Sequence, residues 1–257
     1  MAGQLKIAIV QTPLLWENPE GNRAMFEEKI KGIQDKVDLV ILPEMFTTGF
    51  TMEPENIPAS EGPKTLEWME RVAAEQDIAL LGSMVFRENG NNFNRLYFVA
   101  PNLETQAYDK KHTFTLAGED RVYTAGNERL IVDFKGFRIC PMICYDLRFP
   151  VWARNTVDYD VLIYVANWPK PRIVAWDTLL RARAIENMAY CIGANRIGED
   201  NLGHEYAGHS AVYDVLGGTL AYSEKEEVLF AEFDKSHIAT YRNKLKFLDD
   251  RDSFSLK

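Results

Sequence analysis

The chain has 257 residues, 46% of them hydrophobic and 26% charged, with a formal net charge of −9 at pH 7. That length sustains a large core, and the acidic balance excludes the broad basic surface that nucleic acid or an anionic membrane requires; the densest basic cluster is only Lys110-Lys111-His112. Three cysteines make no disulfide framework, Met1 to Lys6 lacks the basic and apolar regions of a signal peptide, and no apolar run reaches membrane-spanning length, so a cytoplasmic protein is expected.

Leu5 to Val10 is predicted as the first strand, ended by Gln11-Thr12-Pro13. Asn18 to Gly21 reads as a turn, and Asn22 to Lys36 carries Met25, Phe26, Ile30 and Ile33 at helical spacing. Val37 to Leu42 is the second strand, stopped by Pro43-Glu44. Pro63 to Gln76 is a helix with proline near its start, and Ile78 to Ser83 a third strand. Such a βαβαβ series packs helices on a sheet. Asn92 to Ala100, Thr105 to Tyr108 and Leu130 to Phe134 read as successive strands. Arg138 to Ile143 is too short for a helix and rich in β-formers, so it reads as a buried strand that breaks at Cys144 into charges and Pro150. A helix from about Phe149 to Thr156 follows, then a strand from Val161 to Val165 that ends at Asn167-Trp168-Pro169. An amphipathic helix from Arg172 to Met188 and a strand from Tyr190 to Asn195 come next. Ser210 to Tyr213, Thr219 to Tyr222 and Val228 to Phe233 are hairpin-like, with Gly217-Gly218 as a turn. Asp234 to Phe247 is a last helix and Leu248 to Lys257 a polar tail. No linker, repeat or low-complexity segment interrupts the chain, so residues 1–257 are expected to form one α/β domain. The order of elements suggests two similar halves, the second starting near Cys144, with helices covering the outer face of each sheet.

Cys144 is the residue this pattern singles out. A thiol at the C-terminal end of a buried strand sits where α/β folds build sites. By itself it is as well read as a small buried hydrophobe, because a free thiol titrates near about 8.5 and needs an activating partner. Glu44 stands directly after a buried strand, where a carboxylate is desolvated and suited to general-base work, though by itself it is read at least as well as a helix N-cap or an exposed loop acid. Lys110 follows the strand ending at Tyr108. Asn167 also ends a strand, where it serves equally well as a turn former. The combination carries the inference. Acyl transfer by a thiol needs a nucleophile, a proton shuttle and a donor for the oxyanion, and Cys144, Glu44 and Lys110 supply one of each. No histidine is placed to replace Glu44, and His112 reads as an orienting or packing residue. Metal is disfavoured, since His204 and His209 are five apart and no zinc-type spacing occurs. Glycine motifs for phosphates or dinucleotides are absent.

These residues resemble the nitrilase superfamily, the carbon–nitrogen hydrolases. The family's Pro-Glu stands here as Leu42-Pro43-Glu44-Met45-Phe46, its Tyr-x-Lys-x-His as Tyr108-Asp109-Lys110-Lys111-His112, and its nucleophile elbow as Ile143-Cys144-Tyr145-Asp146-Leu147-Arg148-Phe149-Pro150. Asn167-Trp168-Pro169 and Arg181 to Asn187 also match, so the likeness runs from Ile7 to about Phe233. The family's spacing selects Lys110 over Lys111, and its second glutamate matches Glu119, with Asp120 as rival. The resemblance implies a four-layer αββα sandwich of two mixed sheets, a homodimer paired through the Cys-bearing faces, and neither metal nor organic cofactor. It also implies a reaction. Glu44 takes the thiol proton as Cys144 attacks an amide, and Lys110 with the backbone N–H of Tyr145 holds the oxyanion. Glu119 orients Lys110 or the water that later hydrolyses the thioester.

Tyr145-Asp146 after the cysteine resembles the amidase branches rather than the Trp-Glu of true nitrilases. Phe46-Thr47-Thr48-Gly49-Phe50 and Asn167-Trp168-Pro169 are similar to the bacterial ω-amidases, which cleave the terminal amide of α-keto acids such as 2-oxoglutaramate. A small anionic amide is then the expected partner, with an unidentified cation holding its carboxylate and Phe46, Phe114 and Trp168 as candidates to line its pocket, each equally well read as core packing. An aliphatic amidase or N-carbamoyl amidohydrolase of the same family is the alternative. A non-catalytic sensor using Cys144 as a switch thiol is a reading from another class.

Overall fold

The computed structural model describes residues 3–255. Its strands are β1 (Gln4–Gln11), β2 (Leu39–Ile41), β3 (Ala79–Glu88), β4 (Asn91–Val99), β5 (Gln106–Asp109), β6 (Val132–Phe134), β7 (Phe137–Ile143), β8 (Val161–Ala166), β9 (Tyr190–Asn195), β10 (Ile197–Glu199), β11 (Glu205–Ala207), β12 (Ser210–Tyr213), β13 (Thr219–Ser223) and β14 (Glu227–Asp234). Its α-helices are α1 (Pro19–Lys31), α2 (Glu61–Gln76), α3 (Glu119–Val122), α4 (Pro150–Ala153), α5 (Ile173–Asn187) and α6 (Lys235–Leu245). One sheet runs in the order β14-β1-β2-β3-β4-β5 and the other β13-β12-β9-β8-β7-β6. In each, three strands pair in parallel, β1-β2-β3 and β7-β8-β9, while the outer pairings are antiparallel.

Side-chain alternation makes the layers. Ile7, Ile9 and Ile41 cluster with Ile139, Ile163 and Val165 of the other sheet. Ala8, Val10 and Val40 pack instead with Phe26 and Ile30 of α1 and Met69 and Val72 of α2. Each fully buried isoleucine contributes roughly 1.5–3 kcal/mol, so the two-residue period fixes which face meets the partner sheet. On the second sheet α5 lies close enough that a Cβ at Gly193 would come within 2.5 Å of Trp176 and 2.3 Å of Leu180. Bare backbone there lets the helix seat. The result is the αββα sandwich that the resemblance implied.

Several expectations shift. The turn at Asn18 is the cap of α1: its side chain accepts from the Gly21 N–H at 3.0 Å, and Pro19 opens the helix. The helix expected at Phe149 to Thr156 shortens to α4. The second sheet begins at Val132, ahead of Cys144, and β14 crosses back to the first sheet, pairing along the whole of β1 from Gln4↔Asp234 to Gln11↔Glu227. The hairpin β10–β11 was not expected from the sequence.

Candidate active site

Three strands deliver their next polar residues to one place. Glu44 follows β2 by three residues, Lys110 follows β5 directly, and Cys144 follows β7 directly. Lys110 Nζ lies 2.8 Å from Glu44 Oε1 and 2.9 Å from Glu119 Oε2, with the lysine side chain 1% exposed and both carboxylates fully buried. Lys111 instead places its ammonium over the Trp152 ring, 5.4 Å from the centroid. Glu119 is the buried acid, whereas Asp120 is exposed. The Glu119 carboxylate also accepts the Phe114 N–H.

Backbone strain shapes both strand ends. Cys144 has φ +44° and Met45, directly after Glu44, has φ +42°. A non-glycine residue in the left-handed region costs on the order of 1–3 kcal/mol and persists only where neighbours hold it. At Cys144 the holder is buried Asp146. Its Oδ2 accepts from the Ile143 N–H at 3.0 Å and the Tyr108 hydroxyl at 2.8 Å, and its Oδ1 from the His112 N–H at 2.9 Å. The carboxylate thus ties the cysteine turn to the Lys110 loop. His112 stacks on Phe149 with centroids 3.7 Å apart and places Nδ1 2.8 Å from Asp146, an orienting role as expected. Arg183 Nη2 donates to Leu147 O at 2.6 Å and braces the turn from α5. At Met45 the N–H donates to Ser83 Oγ at 2.9 Å.

The electrostatics follow from burial. Burial alone would drive the Lys110 ammonium toward its neutral form, but Glu119 and Glu44 outweigh it and hold the amine above its ordinary value. Burial, assisted by the Glu44 charge and opposed by Lys110, pushes the Glu119 carboxyl up. The Cys144 thiol is pushed well above its ordinary value by burial and by the Glu44 charge, while Lys110 pulls it down. Burial raises Cys140 to about 12, and raises Cys191 as well.

A cavity of about 320 Å³ opens on Cys144, Lys110 and Tyr145. Phe114 and Trp168 line it as expected. Phe46 does not. It is fully buried, its ring 5.4 Å from that of Phe26 and 5.9 Å from that of Trp68, and it fills the space left by Gly82, where a Cβ would come within 2.9 Å of it. The expectation for Phe46 is corrected, because an aromatic side chain on this turn packs outward against α1 and α2. Phe50 takes the lining position, with Lys110 Nζ 5.0 Å from its ring centroid.

Comparison with known proteins gives one family. Residues 6–243 match the carbon-nitrogen hydrolase model. The chain belongs to the carbon–nitrogen hydrolase family. It is 42% identical to an omega-amidase (YafV) of Yersinia enterocolitica over 98% of each chain. It is 32% identical to a 2-oxoglutaramate amidase of Bacillus subtilis over 95% of this chain and 96% of that one. Among solved structures, a CN-hydrolase superfamily protein of Xanthomonas campestris with an arsenic adduct in its active site superposes with a TM-score of 0.95 at 41% identity, covering 99% of both chains.

Against this carbon–nitrogen hydrolase frame, the structure adds residues that the sequence pattern did not single out for the site. Asn94 of β4 is buried and gives its Nδ2 to Glu44 Oε1 at 2.8 Å and to Glu119 Oε1 at 3.2 Å. Arg148 and Arg172 both line the cavity, their guanidinium groups 4.9 Å from the Trp168 ring centroid and 5.0 Å from that of Phe114. Neither guanidinium has an ion pair among the described residues. The β10–β11 hairpin brings Asp200, Leu202, His204 and Tyr206 to the same cavity. Its strands are three residues each, too short to declare themselves by alternation. The arginines had a signal, two cations in the flanks of recognised motifs.

Proposed function

We propose that the protein hydrolyses the terminal carboxamide of short α-keto acids, 2-oxoglutaramate foremost, through a thioester on Cys144. The observation that carries the reading is a buried Glu44–Lys110–Glu119 group against a thiol, in a cavity that also holds two unpaired arginines. As Sγ bonds to the carbonyl carbon, the thiol proton passes to Glu44. Lys110 and the Tyr145 N–H hold the oxyanion; an N–H in the first turn after a strand has no partner within its helix. Glu44 gives its proton to the nitrogen, the C–N bond breaks and ammonia leaves. A water then attacks the thioester, giving its proton to Glu44. The C–S bond breaks, the product acid departs, and the proton returns to the thiolate. Glu119 keeps Lys110 in place.

Arg148 and Arg172 supply the anchor for the substrate carboxylate. Both guanidinium groups are half-buried, and a substrate that lacks the carboxylate forgoes charge-assisted hydrogen bonds worth roughly 1.5–3 kcal/mol. The omega-amidase and 2-oxoglutaramate amidase relatives support the same choice. The test is ammonia release from a panel: 2-oxoglutaramate, 2-oxosuccinamate, glutamine, asparagine, a neutral amide of equal length, N-carbamoyl amino acids and a nitrile. 2-Oxoglutaramate should exceed the neutral amide at least about tenfold in kcat/KM, and glutamine should be poorer. Replacing either arginine by methionine should erase that preference by raising KM for the keto acid amide. Comparable turnover of glutamine sinks the keto preference, and preference for a carbamoyl compound or a nitrile moves the chain to another branch of the family.

The reading extends to assembly and place. Val151 of α4 and Val174 of α5 are 54% and 75% exposed on helices that pack against the cysteine turn, and a second copy would cover them. A homodimer should elute at twice the monomer mass in light scattering. Three free cysteines suit the reducing cytoplasm.

A further inference from the structure

Six buried side-chain polar atoms have no hydrogen-bond partner among the described residues, and only one of them, Asn167 Oδ1, belongs to a residue lining the catalytic cavity. Asn167 follows β8 directly and is 4% exposed. Its backbone N–H and its side-chain NH2 are both engaged. The backbone N–H donates to Glu44 Oε2 at 2.8 Å, and Nδ2 donates to the Glu44 carbonyl oxygen at 2.6 Å. That second bond fixes the amide's orientation, because the flipped side chain would press two carbonyl oxygens together. Oδ1 is therefore left as an acceptor with nothing to accept. A buried acceptor left unmade is costly, and a free acceptor in the cavity that holds the nucleophile is a place for a donor.

The hydrogen-bond inventory says which donor. A primary carboxamide brings one carbonyl acceptor and two N–H donors. The carbonyl faces Lys110 and the Tyr145 N–H. Glu44 Oε1 already receives Lys110 Nζ and Asn94 Nδ2, which fills its two lone pairs. Oε2 receives the Asn167 N–H and has one lone pair left for the proton in transit. One acceptor on Glu44 cannot serve two N–H groups as well as the thiol. We propose that the side-chain carbonyl of Asn167 accepts a hydrogen bond from the scissile NH2 group, so that it reads the substrate as a primary amide and holds the departing ammonia. This role rests on the amide-hydrolase reading above. Asn167 is then a specificity residue touching the reacting nitrogen as well as a brace for Glu44.

The two roles separate by leaving group. The 5-methyl ester of 2-oxoglutarate has the same acyl part and the same thioester, but no N–H at the scissile bond. Asn167→Ala should reduce kcat/KM for 2-oxoglutaramate by about tenfold to a hundredfold more than for the ester. Asn94→Ala, which also loosens Glu44 but has no atom facing the leaving group, should reduce both alike. If Asn167→Ala lowers amide and ester by the same factor, the residue only braces Glu44 and the proposal fails. A second measurement needs no variant at Asn167: in a crystal structure of Cys144→Ala with 2-oxoglutaramate, the carboxamide nitrogen should lie within about 3.2 Å of Asn167 Oδ1. A nitrogen turned away from that oxygen overturns the proposal. Failure of the wild-type protein to release ammonia from any amide would instead remove the amidase reading itself.

Discussion

Cys140, Cys144 and Cys191 differ by environment rather than chemistry. Cys144 is 9% exposed and faces a base, whereas the others are fully buried, with Cys140 raised to about 12. Brief treatment with iodoacetamide, followed by peptide mass spectrometry, should find Cys144 labelled first; equal labelling at Cys191 would contradict the assignment. Lys110 carries a second expectation. Lys110→Met should cost at least ~10²–10³ in kcat, and it leaves two buried carboxylates without their cation, a loss of about 3–5 kcal/mol. The sign with pH follows from Glu119, whose carboxyl already lies above its ordinary value. A raised carboxyl binds a proton in the folded state that the unfolded chain releases, so stability falls as pH rises through the folded value. The melting temperature of Lys110→Met should therefore climb on acidification from pH 7 to pH 5 more than the wild type's. A flat profile would mean that the two acids are not held together. Glu44 and Cys144 were legible because each is the polar residue that ends a buried run, and Lys110 because it follows a short strand within Tyr108-Asp109-Lys110-Lys111-His112. Asn94 was not, since Asn91-Asn92-Phe93-Asn94 reads as the polar edge of a strand. Phe46 misled because an aromatic beside a catalytic acid packs into a core as readily as it lines a cavity.

Among the elements, the parallel strands were the most legible, since β2 and β8 are short continuous apolar runs bounded by polar residues or proline, and β7 is apolar from Ile139 to Ile143. What the pattern could not carry was pairing. Nothing in Val228 to Phe233 announces that β14 returns to the first sheet, because its partner lies over two hundred residues earlier. The helix layer shows how surface chemistry fixes an element once the core has placed it. Glu27 of α1 accepts from Trp68 Nε1 at 2.8 Å and pairs with Arg71 of α2 and with Lys31. Arg71 first, then Lys31, lower its carboxyl from 4.5 to about 2. A lowered carboxyl contributes stability that is present above its ordinary value and lost as pH falls through the folded value. Glu27→Gln should thus be less stable than wild type at pH 7, by at most about 1 kcal/mol because solvent screens the pair. Chemical denaturation should show the difference fading between pH 4.5 and about 2. A gap that persists at the acidic end would assign the effect to lost packing instead.

Across the whole molecule, charge is arranged against its average. The chain carries a net −9, yet its cavity holds two arginines without acidic partners among the described residues. An anionic substrate meets repulsion at a distance and attraction at contact. Ionic strength separates the two, because the screening length is about 10 Å at 0.1 M salt and about 30 Å at 0.01 M. The diffuse negative field of the surface is spread over distances of that order, whereas a carboxylate seated on Arg148 and Arg172 lies inside a half-enclosed cavity where ions screen poorly. Adding salt from 0.01 to 0.1 M removes the repulsion before it touches the anchor. For 2-oxoglutaramate, kcat/KM should therefore stay level or rise over that range, and for a neutral amide it should not respond. With both arginines replaced by methionine, the rise should remain while the absolute value drops, since the long-range term outlives the local one. A steep fall with salt in the wild type would mean that a positive field steers the substrate in from afar, and that the acidic surface is interrupted by a basic approach wider than this cavity.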